Sequence, residues 1–158
     1  MRVCALAGSA GDVGVRVLEL GVLGPVRAVR DDRELGLGGP KPRAVLALLV
    51  LEAGRVVPAG RLVDELWRGC PPPGAAVTLR SYVSRLRSAL APEVAVAARG
   101  GGYAISAGPD QLDASRFERL VAVGRDALSR GQAVAAGARF REALGLWRGP
   151  ALADVLEV

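Results

Sequence analysis

Six polar side chains share one face of a predicted helix in the middle of the chain. If residues 75–90 form a helix, an advance of about 100° per residue brings them onto one arc: Arg80, Ser81, Ser84, Arg85, Arg87 and Ser88. Arginine can pair bidentately with guanine in the DNA major groove, and serine can bond bases or phosphates. The small serines let the helix backbone come close to the base edges. We interpret this arginine–serine arc as a candidate DNA-reading surface.

The rest of this helix and its neighbours decide between DNA contact and ordinary solvation. The opposite face is apolar and predicts a core side: Leu79, Tyr82, Val83, Leu86 and Leu90. A basic arc alone is more often solvated surface than a DNA site. Three features favour DNA: the arc has no carboxylate, a helix precedes it at helix-turn-helix spacing, and a glycine-tipped hairpin follows. Arg99, beside that tip, could reach phosphate or the minor groove.

The net charge of +5 lies in the first two thirds of the chain. Residues 1–108 hold 14 basic and 9 acidic residues, whereas residues 109–158 hold seven of each. A polyanion site is therefore expected in the first segment. Lys41 and Arg43, at the start of a predicted helix, are interpreted as solvated charges rather than phosphate contacts.

Several classes of chemistry are excluded by composition. The chain has no histidine, which rules out His-based general bases, Ser-His-Asp triads and His-ligated metals. Cys4 and Cys70 are too few for a Cys-rich zinc site or a disulfide framework. The Gly100–Gly102 run lacks the Lys-Ser/Thr of a phosphate-binding loop. We predict no catalytic residue, no metal and no cofactor.

No segment is long and apolar enough to cross a membrane. The longest apolar run, Ala44–Leu51, is far shorter than the roughly 20 residues that a spanning helix needs. Met1–Gly8 imitates a signal peptide only faintly, because its apolar stretch is too short, and we expect residues 1–14 to form a flexible tail of a cytoplasmic protein.

Residues 15–108 predict a winged helix-turn-helix with an N-terminal antiparallel sheet and a C-terminal β-hairpin wing. Periodicity and breakers give three strands, three helices and a hairpin. Asp31-Asp32 marks a turn between strands, and Cys70–Gly74 a rigid proline loop. The predicted elements are strands at 15–20, 26–29 and 34–37, helices from 40, from 58 and over about 75–90, and hairpin strands at 94–96 and 103–105.

Residues 109–158 change to amphipathic helical patterns. Asp113 or Ser115 can cap a first helix that ends at Gly131, and a second runs from Gln132 to Gly149-Pro150. Alternating alanines and large apolar residues suit two closely packed antiparallel helices, as in a tetratricopeptide-like (TPR-like) repeat. One pair cannot bury both of its faces. The fold class is therefore α+β, with an incomplete all-α segment after the winged helix.

Several motifs, in this order, resemble the Streptomyces antibiotic regulatory protein (SARP) family. They are Val22–Pro25, Gly39–Ala44, Arg61–Trp67, Thr78–Arg87 and Leu144–Leu152. The resemblance implies an OmpR-type winged helix and a bacterial transcriptional activator domain. It also implies binding to direct repeats of double-stranded promoter DNA, recruitment of RNA polymerase, a homodimer on DNA, and activation of antibiotic and other secondary-metabolite genes.

The resemblance also implies roles for individual positions. The helix from Thr78 to Ser88 would be the recognition helix, and Arg99 would lie on the wing. The loop from Arg68 to Gly74, with Pro71, Pro72 and Pro73, would face polymerase. The family's activator domain is a larger helical bundle than the one pair in this chain.

Two function classes remain after this comparison, with an enzyme as a distant third. The first is a sequence-specific DNA-binding activator. The alternative is a protein-interaction module that docks on RNA polymerase or another regulator without reading DNA. The arginine–serine arc discriminates between them, because a docking module would not require it.

Overall fold

The computed structural model describes residues 18–155. The predicted tail (residues 1–14), Cys4 and the start of the first predicted strand lie outside the described residues. The strands are β1 (Leu18–Gly21), β2 (Arg27–Arg30), β3 (Arg33–Glu34), β4 (Val57–Pro58), β5 (Ala95–Arg99) and β6 (Gly102–Ser106). The helices are α1 (Pro40–Leu51), α2 (Ala59–Trp67), α3 (Ala75–Leu90), α4 (Asp113–Ser129) and α5 (Ala133–Leu144), with a 3-10 turn at Pro109–Gln111.

The N-terminal sheet is an antiparallel meander in the order β1-β2-β3. The predicted turn is present, with Asp31 and Asp32 both at positive φ (48° and 62°), as a tight hairpin with right-handed twist requires. The third strand is shorter than the predicted 34–37. After the amide of Leu35 donates to the carbonyl of Ala28, the chain leaves the sheet and buries Leu37 in the core.

The three helices of the first segment enclose one apolar core. α1 is apolar nearly all round and buries Val45, Leu46 and Leu49 completely. Prolines in its first turn are tolerated because the first helical amides have no intrahelical acceptor. α2 ends where Arg68 adopts a left-handed conformation (φ 50°). α3 has the predicted boundaries and is followed by Pro92.

The wing is a three-stranded sheet in the order β4-β6-β5. The β5–β6 hairpin matches its prediction, but β4 has no counterpart in the sequence prediction. Its two residues pair with β6, Val57 opposite Tyr103 and Pro58 opposite Gly102. β4 thereby ties the start of α2 to the tip end of the wing hairpin, and Val57 is buried.

α4 and α5 form the predicted antiparallel pair, closely packed through small residues. α5 ends at Leu144, before the predicted end at Gly149-Pro150, because the residues that follow leave the helix and the Arg148 amide bonds the Leu23 carbonyl. Gly124, Ala127, Ala136 and Ala143 are buried between the helices. The rings of Phe117 and Trp147 meet edge to face, with centroids 5.7 Å apart. Leu128 and Leu144 are 55% and 65% exposed, because no other element within residues 18–155 packs over them.

The helix pair is fastened to the loop between β1 and β2 (residues 22–26, the docking loop). The prediction that Asp113 or Ser115 caps α4 is wrong, because neither side chain caps this helix. The Asp113 carboxylate instead accepts the backbone amides of Val22 and Leu23 at 2.9–3.0 Å and the Arg148 guanidinium at 2.9 Å. The amides of Val22 and Leu23 thus have their acceptor 91 and 90 residues later in the chain.

The segment after α5 closes over the same docking loop. The Arg148 amide donates to the Leu23 carbonyl (2.9 Å), and the Leu152 amide to the Gly24 carbonyl (2.8 Å). Asp154 accepts the Val26 amide and pairs with Arg43, each at 2.8 Å. Burial raises the pKa of Asp154, but these hydrogen bonds outweigh burial and hold that pKa below its usual value.

Within residues 18–155, no helix combines the length and the apolar character needed to cross a membrane. The same part of the chain brings together no group of three metal-ligating side chains.

Candidate nucleic-acid interface

α3 divides into a buried face and an exposed face as its sequence predicts. Leu79, Val83, Leu86 and Leu90 lie in the core, and Tyr82 packs against it half-buried. All six residues of the arginine–serine arc are exposed. The helix pair docks on the N-terminal sheet rather than on this arc, so the arc stays open to solvent.

The three arginines of the arc differ in their contacts. The side chains of Arg80 and Arg85 are exposed and have no bonded partner within the described residues. Arg87 is also exposed, but its Nε donates to the carbonyl oxygen of Val96 in β5 at 2.8 Å. Two arginines are therefore free to bind a ligand, and the third is partly engaged by the protein.

The hydroxyl groups differ in the same way. Thr78 is half-buried and its Oγ1 donates to the carbonyl of Gly74 (3.3 Å), while the Oγ of Ser88 donates to the carbonyl of Ser84 (3.2 Å). Ser81 and Ser84 keep exposed hydroxyls that make no hydrogen bond in the described structure. The free donors thus concentrate in the first two thirds of the arc.

The wing tip lies beside the start of α2. Gly100 and Gly101 form the turn at positive φ (52° and 76°), and the Ala59 amide donates to the Gly101 carbonyl at 3.1 Å. Arg99 is exposed next to this turn. The tip is therefore held to the helix-turn-helix by backbone contacts as well as by β4.

A groove connects the wing with the arc. About 290 Å³ in volume, it runs between α2, α3 and β6, with Arg80 and Tyr103 among its lining residues. A second groove is lined by Arg99 and the glycine turn, and it shares Ala59 and Tyr103 with the first groove. Arg80 and Arg99 thus line two neighbouring grooves that have the Tyr103 side of the wing in common.

The loop between α2 and α3 presents an exposed proline run. Pro71, Pro72 and Pro73 are all exposed, and Cys70 is an exposed free thiol. The Gly69 amide donates to the Asp64 carbonyl and the Cys70 amide to the Trp67 carbonyl, both at 2.9 Å. The loop is therefore anchored to α2 at one end and stiffened by prolines at the other.

Two basic residues that we expected to be solvated are structural. Lys41 donates from Nζ to the Leu66 carbonyl at 2.9 Å and lies 5.4 Å from the centre of the Trp67 ring. Arg43 pairs with Asp154 of the C-terminal segment. Sequence reasoning missed both roles, because the partners are 25 and 111 residues away.

α3 is also held at its C-terminal end. Nη2 of Arg30 in β2 donates to the carbonyls of Ala89 (3.0 Å) and Ala91 (2.8 Å) and pairs with Glu93 at 2.7 Å. The last carbonyls of a helix lack intrahelical donors, and a cation there also complements the helix dipole. Arg30 therefore fixes α3 to the N-terminal sheet.

Two family models match consecutive parts of the chain. Residues 33–105 match "Transcriptional regulatory protein, C terminal", and residues 112–157 match "Bacterial transcriptional activator domain". Similar proteins include the regulatory protein DnrI of Streptomyces peucetius, 38% identical over 87% of this chain and 54% of its own length. The regulatory protein AfsR of Streptomyces coelicolor is 45% identical over 87% of this chain and 14% of its own.

The chain belongs to the SARP family of transcriptional regulators.

The solved structures agree with the SARP assignment. Mycobacterium tuberculosis EmbR, in a complex with a low affinity phosphopeptide, superposes with a TM-score of 0.85 at 35% identity. The match covers 90% of this chain and 39% of EmbR. The α+β winged-helix fold predicted from the sequence is confirmed. This SARP chain spans about half, or less, of the length of these relatives, all of which are named as regulators.

Proposed function

We propose that this chain binds promoter DNA sequence-specifically, with α3 in the major groove and the wing beside it. The observation that carries the proposal is the arginine–serine arc, which is exposed and contains no carboxylate. The opposite face of α3 is buried in the core, and the neighbouring wing carries a further exposed arginine. The direct DNA contacts would come from Arg80, Ser81, Ser84 and Arg85, and from Arg99 on the wing. The proposed site also includes Thr78, Arg87 and Ser88, whose side chains each donate to a backbone carbonyl of the protein. The wider binding unit is residues 15–108.

The rest of the proposed function concerns the complete regulator in the cytoplasm. Two copies would bind direct repeats near promoters, contact RNA polymerase and activate secondary-metabolite genes. Direct repeats favour a head-to-tail arrangement, because a two-fold dimer matches inverted half-sites. The residues 109–158, as the start of the activator domain, would serve contacts between proteins.

The proposal is tested by titrating direct-repeat DNA, selected by enrichment with this protein, against a scrambled duplex at two salt concentrations. Arg80→Ala and Arg85→Ala are each expected to cost about 1–3 kcal/mol if the arginine reads a base, with relaxed specificity at one position. If the arginine binds phosphate, affinity falls on both duplexes and the salt slope decreases by about 1.

Arg125→Ala is the matched control, since Arg125 is exposed on α4 and its loss changes the net charge equally. We expect this variant to bind like the wild type. If the double variant at Arg80 and Arg85 bound selected DNA as tightly as the Arg125 variant, the arc would not be the interface. A protein-interaction module, favoured by the exposed Leu128 and Leu144, would then be the better account.

The proline loop is proposed to contact polymerase. Replacing Pro71, Pro72 and Pro73 with alanine removes exposed, rigid side chains without touching the arc. We expect unchanged DNA affinity, but about fivefold weaker capture of bacterial RNA polymerase holoenzyme by the protein–DNA complex, as for loss of about 1 kcal/mol of contact energy. Equal capture by the two proteins would remove the loop from the polymerase interface.

A further inference from the structure

Arg87 is the arginine of the arc that the protein itself engages. It lies in the last turn of α3, and its Nε donates to the Val96 carbonyl at 2.8 Å in a partly buried contact. Val96 belongs to β5, which is the edge strand of the wing sheet. This hydrogen bond therefore adds a side-chain link between α3 and the wing to the short connection, residues 91–94, that joins them along the chain.

The acceptor has no competing strand on its outer side. An edge strand presents unpaired carbonyls and amides, and a side-chain donor can take the place of a neighbouring strand. The side chain of Val96 is buried in the core, 3% exposed, so β5 is fixed there by packing and by Arg87 together. Arg99 follows three residues later at the tip. Its position relative to α3 consequently depends on this part of β5.

The last turn of α3 is also where Arg30 holds the helix to the N-terminal sheet. The C-terminal end of α3 therefore has two arginine contacts: Arg30 binds it to the N-terminal sheet, and Arg87 binds it to the wing. Arg80 and Arg85, seven and two residues earlier in α3, have no comparable contact in the described chain.

We propose that Arg87 is a positioning residue, which sets the wing at a fixed angle to α3 and acts on DNA through Arg99. This inference rests on the proposed DNA-binding function, and it gives Arg87 a role distinct from that of Arg80 and Arg85. This positioning role requires an N–H donor at the place of Nε in the Arg87 side chain, and the positive charge of the guanidinium is of secondary importance.

Two substitutions separate the donor from the charge. In Arg87→Gln the amide nitrogen is attached to Cδ, as Nε is in arginine, so the donor is kept and the charge is lost. In Arg87→Lys the charge is kept, but Cε replaces the donor at that position. Positioning predicts that Arg87→Gln binds selected DNA within about threefold of the wild type. Arg87→Lys and Arg87→Ala should both lose about tenfold in affinity, within the usual range of coupling energies. If Arg87 instead contacts phosphate directly, Arg87→Lys should bind DNA more tightly than Arg87→Gln, because the charge is then what matters.

A double-mutant cycle with Arg99 tests the route of action. If Arg87 acts through the wing, Arg87→Ala should have little further effect once Arg99 is alanine, because the contact that it positions is gone. Independent DNA contacts would instead give additive losses. Additive losses, or DNA affinity retained by Arg87→Lys but not by Arg87→Gln, would overturn the proposal.

Amide hydrogen exchange without DNA separates this inference from the proposed function. Arg87→Ala and Arg87→Lys should accelerate exchange in β5 and β6, whereas Arg87→Gln and the control Arg85→Ala should leave it unchanged. Unchanged amide exchange of β5 and β6 in Arg87→Ala would show that Arg87 does not hold the wing. If the wild type failed to bind DNA at all, the proposed function would fail, and the exchange pattern would still decide whether Arg87 holds the wing.

Discussion

Replacing Asp113 with alanine is expected to lower the free energy of unfolding by about 2–4 kcal/mol, which is a large fraction of the stability of a domain this size. The Asp113 and Arg148 side chains are only 13% and 21% exposed, so both charges are largely removed from water. The substitution leaves Arg148 without its anion and removes the acceptor of the Val22 and Leu23 amides. An unpaired, partly buried donor costs more than the hydrogen bond that it formed.

The matched control is Asp110→Ala, three residues earlier. Asp110 pairs with Arg119 but is 82% exposed, and exposed pairs of this kind contribute about 0–1 kcal/mol. Urea denaturation of both variants and the wild type measures the difference. Similar losses for the two variants would show that Asp113 does not fasten the helix pair to the docking loop.

Replacing Gly102 with alanine is expected to destabilise the wing and the whole domain by about 3 kcal/mol. A β-carbon at Gly102 would overlap the Val57 carbonyl oxygen and lie 2.9 Å from Cα of Pro58. These are backbone atoms of β4, so no side-chain rotation can relieve the overlap. β4 would have to leave β6, and the buried Val57 side chain would move with it.

Gly60→Ala is the control for this substitution. Gly60 lies in α2, and a β-carbon there would meet no atom within 4 Å. Alanine should stabilise that position by about 0.5–1 kcal/mol, because glycine loses more chain entropy in a helix. Thermal unfolding of the two variants should therefore shift in opposite directions. A melting temperature for Gly102→Ala at or above the wild-type value would contradict the predicted overlap.

Local signals in the sequence predict the elements that form within short stretches of chain. α3 is bounded by Pro73-Gly74 and Pro92, and its apolar and arginine–serine faces follow directly from helical periodicity. β4 could not be predicted in this way. It has two residues, and its strand conformation depends on pairing with a hairpin more than forty residues away.

The same limit applies to the side chains of the candidate site. Periodicity places Arg80, Arg85 and Arg87 on one arc, but it carries no information about the carbonyl of Val96 that distinguishes Arg87. Asp113 has the typical sequence context of a helix cap, yet it serves a loop 90 residues earlier. The Val22–Pro25 and Leu144–Leu152 motifs contained a usable signal, because these two segments bind each other in the structure.

The fastening of the helix pair has a mechanical consequence. The turn that leads into α4 is itself tied down, since the Gly108 amide donates to the Gln111 side chain and Leu112 bridges to Leu20 in β1. Because Asp113 and Arg148 also bind the docking loop, residues 107–113 are held at several points and have little freedom to act as a hinge. A displacement of α4 and α5 would therefore be passed to the C-terminal end of α3 through β1, β2 and Arg30, so the orientation of the helix pair is coupled to that of the helix that we propose to bind DNA.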